Sequence, residues 1–169
     1  QFMFYGGKMN FNSVLLYSRE TNKSVASVGC NINVKEDFGI SFNGWQDNFG
    51  STVTYLESGL QHHFKGFGRK QSYWDINRIK LKNLRVNIGP DTLFIESGDR
   101  NVLEFTDSLN MLSGVVKETN LYKMELNELF IADDSKFNLD DASVDISGSI
   151  KGDGIIASDA STFTFKGKT

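Results

Sequence analysis

Apolar and polar positions alternate in short bursts along this chain, and the clearest stretch is Met124–Phe165, MELNELFIADDSKFNLDDASVDISGSIKGDGIIASDASTFTF. Leu129 to Ile131, Phe137 with Leu139, Val144 with Ile146, Ile155 with Ile156, and Phe163 with Phe165 are separated by the polar clusters 132–135, 140–143, 151–154 and 158–161. Two apolar residues flanking a polar one share one face of a strand, because side chains alternate with a period of two. The pattern predicts strands of two to five residues joined by Asp/Ser/Gly turns.

Earlier segments follow the same rule with longer strands. Val28, Cys30, Ile32 and Val34 alternate, as do Phe38, Ile40 and Phe42, and then Leu84, Val86 and Ile88. Between Ile79-Leu81 and Leu84 the alternation slips at Lys82-Asn83, which predicts a bulge or bend. Gly89-Pro90-Asp91 and 97–101 read as turns, and Leu109 to Val115 as a short helical turn or projecting loop. No segment has the 3.6-residue period of an amphipathic helix.

Composition agrees with this picture. The 169 residues hold sixteen Gly, fourteen Phe and one Pro, a balance suited to many strands and tight turns. No run of eighteen apolar residues predicts a transmembrane helix. Cys30 is the single cysteine, so the chain forms no internal disulfide, and on its alternating strand it reads as a small buried residue. Charge is uneven: residues 1–90 carry eleven Lys/Arg against six Asp/Glu, and 91–169 carry seven against fifteen. Two differently charged solvated faces account for this, and a charged partner is the sharper alternative.

Short strands, turns without Asn-Gly hairpin pairs, and an apolar final strand favour stacked coils. The expected fold is therefore all-β, a β-solenoid of the right-handed β-helix kind over residues 73–169, preceded by an irregular strand-rich cap or subdomain over 1–72. A β-sandwich with antiparallel pairing is the rival. The apolar Phe163 and Phe165 predict that more protein, another chain or a ligand covers the last strand.

Candidate chemistry is sparse. HHFKGFGRKQSYW, residues 62–74, interleaves basic and aromatic side chains, and Lys65-Gly66-Phe67-Gly68 matches the opening of an RNA-recognition signature. Arg69, Lys70 and Ser72 then replace the residues that motif needs for base stacking, so nucleic acid is excluded as the expected partner and a Gly-rich aromatic hairpin is expected instead. Arg69, Lys70, Tyr73 and Trp74 are the candidate binding residues, because cationic and aromatic side chains together form common recognition surfaces. His62 and His63, adjacent on a strand, point to opposite faces and cannot readily share an ion. The aspartates 133, 134, 140, 141, 145, 153 and 159 read mainly as turn residues bonding their own backbone, with calcium as the alternative. No metal or cofactor is expected. No catalytic fingerprint occurs, and paired carboxylates of a polysaccharide-active enzyme would need a measured separation and a raised pKa.

The texture of WDINRIKLKNLRVNIG and of the Met124 stretch, over about residues 74–165, resembles the right-handed β-helical passengers of autotransporter proteins, those of vacuolating-cytotoxin type in particular. That resemblance implies secretion to a bacterial cell surface and contact with a protein or glycan there, in the manner of an adhesin or toxin, without catalysis. The membrane barrel of that family has no counterpart in these residues, so a passenger fragment is expected. The alternation is also similar to lipid-bridging proteins of the bacterial envelope. That alternative implies a periplasmic β-groove in which Leu84, Val86, Ile88, Val144 and Ile146 face lipid.

Overall fold

The computed structural model describes residues 2–17, 25–42, 47–68 and 77–167, all in strands and short connections. In chain order the strands are β1 (Phe2–Tyr5), β2 (Lys8–Phe11), β3 (Val14–Tyr17), β4 (Val25–Val34), β5 (Asp37–Phe42), β6 (Asp47–Tyr55), β7 (His62–Gly68) and β8 (Asn77–Ile131). They continue with β9 (Ser135–Leu139), β10 (Ser143–Ile146), β11 (Ile150–Lys151), β12 (Ile155–Ser158) and β13 (Thr162–Phe165). Every pairing between them is parallel. Parallel partners that are distant in sequence and never hairpin neighbours define a β-solenoid and exclude the sandwich.

Three series of strands stack into three faces. The first runs through β1, the start of β4, β6, β8, β10 and β13, with Phe2 beside Val25 and Val144 between Met124 and Phe163. The second takes β2, the end of β4, the end of β6 and part of β8, so that Ile32, Val53 and Leu84 lie in one row. The third takes β3, β5, β7, part of β8, β9 and β12. Coils differ in length: bonds between side chains or backbone on neighbouring coils span 21 to 31 residues in the first part. In the second part they span 20 to 25. Unequal coils explain why no exact repeat appears in the sequence, while the inward parity of each strand persists.

That parity builds the core. Phe38, Phe64 and Ile95 form one buried row, and the two phenyl rings stack with centroids 5.6 Å apart. Val116 and Phe137 form another, ending on the half-buried Ile156. Each inward residue packs on its counterparts above and below, so apolar ladders run along the axis. The parallel register starts at β1, and β1 to β7 pair in parallel with strands of neighbouring coils.

Corners need special backbone. Gly29 at φ 68° splits the alternating run Val25–Val34 between two faces, leaving Cys30, Ile32 and Val34 inward. Gly152 at φ 101° sits under the carbonyl of Ile131, so close that a Cβ would overlap it. Only glycine combines that φ with that approach. The polar clusters at 132–134, 140–142, 152–154 and 159–161 are corners, as the sequence predicts. Residues 97–101 and 107–116 instead lie within β8, whose 55 residues wind through several corners without losing the strand pattern. The expected helical turn does not form, because Leu109, Met111 and Val116 point into the core as strand residues. The slip near Lys82 is a register shift, in which Phe49 to Thr52 of β6 faces Leu81 to Asn83.

Candidate functional site

The first face carries a ladder of charges on its outward positions. Lys80 Nζ lies 3.2 Å from Glu104, and Lys123 Nζ bridges Glu125 at 3.1 Å and Asp145 at 2.5 Å. Lys166 reaches the same Asp145 oxygen at 2.6 Å. Register explains the cluster: Asp145 stands beside Glu125 on the next coil, so two carboxylates would repel without the lysines between them. Burial pushes the Asp145 carboxyl up, but the hydrogen bonds and charges of Lys123 and Lys166 outweigh it and hold it below its usual range. The same contact with Asp145, followed by Glu125, raises the Lys123 ammonium despite its partial burial.

Beside the ladder runs a shallow groove of about 170 Å³, lined in part by Glu104, Thr106, Glu125, Asn127, Ser147 and Lys166. Its polar groups recur once per coil. Ser147 shares its one hydroxyl proton between the Leu126 carbonyl and Asn127 Oδ1, which fixes one rung to the next. Such a row presents equivalent donors and acceptors at the strand spacing of about 4.8 Å. A carboxylate acting as general acid needs a raised pKa, and Asp145 is shifted the opposite way. Glu118 is raised by burial, against the N–H groups of Leu121 and Asp140 that bond both its oxygens. It is wholly buried and serves as a corner brace.

Arg69, Lys70, Tyr73 and Trp74 lie outside the described residues. The part of that segment described here, His62–Gly68, is one parallel strand between β5 and β8, so the hairpin expected there is corrected for these residues. His62 and His63 do point to opposite sides. His62 is fully buried; its Nδ1 donates to the Lys35 carbonyl at 2.5 Å and its Nε2 is 3.6 Å from Asp91 Oδ2. Asp91 also accepts from Gly59 and Leu60, which straps the 56–61 connection to the stack. His63 stacks on Phe94 at 5.4 Å. Among the described residues no group of three His, Cys, Asp or Glu side chains is placed to hold a metal ion.

Asp133, Asp134, Asp140, Asp141, Asp153 and Asp159 sit at exposed corners, whereas Asp145 is a strand residue at 7% exposure in the lysine cluster. In sequence Asp145 reads with the turn aspartates, although it lies beyond the polar cluster 140–143. The signal that separates it is the parity of Val144 and Ile146, which places Asp145 outward in mid-strand. Leu84, Val86, Ile88, Val144 and Ile146 are all buried in the closed core and line no open trough. Among the described residues no helix is long and apolar enough to cross a membrane. The fold and this charged face make the chain a parallel β-solenoid with a laddered polar surface. Comparison with family models, characterised proteins and solved structures gave no match.

Proposed function

We propose that the chain is a secreted or surface-displayed solenoid that works by contact with a protein or glycan. The observation that supports this reading is the coil-spaced row of paired charges and neutral polar groups along the first face, from Lys80 to Lys166. A surface that repeats once per coil suits an extended ligand that repeats too, such as a glycan chain or a peptide strand. The candidate contacts Arg69, Lys70, Tyr73 and Trp74 belong to the same proposal. Its test is binding of the chain to cells and to an immobilised glycan panel, compared with the pair Asp145→Asn with Lys166→Met, and with alanines at the four candidate contacts. Weakened binding in either set is expected, and unchanged binding in both overturns the reading. Co-purified phospholipid would favour the envelope lipid-carrier alternative.

A further inference from the structure

The outward positions of the third face contain a recess that the charge ladder does not touch. By the register of β3, β5 and β7, Leu15, Gly39 and Lys65 stack on successive coils. Gly39 contributes no side chain, and Leu15 leans across it with Cδ1 2.6 Å from where a Cβ would stand, so that Leu15 covers Gly39 and a notch is left beside the Leu15 side chain. Leu15 is 62% exposed, a large apolar side chain left facing water. The notch measures about 420 Å³ and is lined by Val14, Leu15, Phe38 and Gly39, with Asp37 and Lys65 on its rim. A polar hollow of about 310 Å³ shares those two rim residues and extends to Glu36, Gln61 and His63.

The rim charges are opposite yet uncommitted. Among the described residues Lys65 has no ion-pair partner, and Asp37 holds only a long contact from the Ser13 hydroxyl at 3.4 Å. Elsewhere on this surface, lysines and carboxylates on neighbouring coils pair at 2.5–3.6 Å. A simple carboxylate entering here would meet Asp37 and Glu36, and a simple amine would meet Lys65. A molecule bearing both charges beside an apolar group satisfies all three features, since pockets commonly combine an apolar wall with a few oriented polar groups.

We propose that this notch binds a small aliphatic zwitterion, namely a free hydrophobic amino acid. Its side chain lies against Val14 and Leu15, its carboxylate on Lys65 and its ammonium on Asp37. The proposal is independent of the contact function assigned to the first face.

The experiment is an NMR titration of the labelled chain with L-leucine, 4-methylpentanoate, which lacks the ammonium, and 3-methylbutylamine, which lacks the carboxylate. Leucine is expected to shift the amides of residues 13–15, 37–39 and 65 saturably and to bind at least about tenfold more tightly than either half-molecule. Lys65→Met is expected to reduce leucine binding to the level of the amine, and Gly39→Val, which displaces Leu15 from its place over position 39 into the notch, to abolish it. Circular dichroism checks that each variant is folded; should Gly39→Val not fold, Lys65→Met decides alone. Equal affinity for the three probes, no saturable shift up to about 50 mM, or leucine binding unchanged in Lys65→Met would overturn the proposal.

Discussion

Lys123 Nζ sits 2.5 Å from Asp145 Oδ2 on the following coil, and the contact joins residues more than twenty positions apart that stacking makes neighbours. Its pH dependence has a definite sign. The folded carboxyl lies below its ordinary value, so it binds protons less readily folded than unfolded. The stability it contributes is present above the ordinary carboxylate pKa and is lost as pH falls through the lowered folded value. Asp145→Asn is expected to lower stability at neutral pH by about 1 kcal/mol, since both lysines are partly exposed. The difference from wild type should shrink in acid and in high salt, as read by denaturant unfolding at several pH values.

Glu118 is expected to show the opposite sign. Burial raises its folded carboxyl, so its contribution falls as pH rises from the ordinary carboxylate value through the raised one. Glu118→Gln keeps one acceptor but turns an amide toward the N–H of Leu121 or Asp140. A loss of about 1–3 kcal/mol is expected, together with removal of this falling limb from the plot of melting temperature against pH.

Gly152→Ala tests the corner geometry. Both the φ of 101° and the Ile131 carbonyl oppose a Cβ, and a loss of more than about 2 kcal/mol is expected. Gly6→Ala is the control, with φ 62° but open space around it; about 1 kcal/mol is expected there. Equal losses in thermal unfolding would show that the carbonyl contact adds nothing to the conformational strain.

Asn83 holds three coils together by donating to Thr52 Oγ1 at 3.2 Å and accepting from the Ser108 hydroxyl at 2.8 Å. Asn83→Ala removes both bonds at a half-buried position, although the Ser108 hydroxyl keeps the bond it accepts from Asn110. A loss of about 1–2 kcal/mol is expected in equilibrium unfolding. Faster hydrogen exchange should appear at the amides of residues 52 and 108 before it appears elsewhere.

Much of the fold was legible because the information was local. The alternation at Val144 and Ile146, the corners at Asp140-Asp141 and Gly152-Asp153, and the opposed directions of His62 and His63 all follow from a strand's period of two. Where local and tertiary demands differed, packing prevailed. Leu109 to Val116 reads ambiguously by itself, yet the ladder above it fixes Leu109, Met111 and Val116 inward as strand residues.

By itself, the sequence determined the strand content, the inward parity and most corners, because these depend on neighbours within a few positions. Only the tertiary structure decided that Asp145 meets Lys123 and Lys166, that Asn83 bridges Thr52 and Ser108, and that Leu15 covers Gly39. Those relationships depend on coil length, which varies along the chain. The corners absorb the differences in coil length, so inward parity persists while the partner each residue meets on the next coil cannot be read from local alternation.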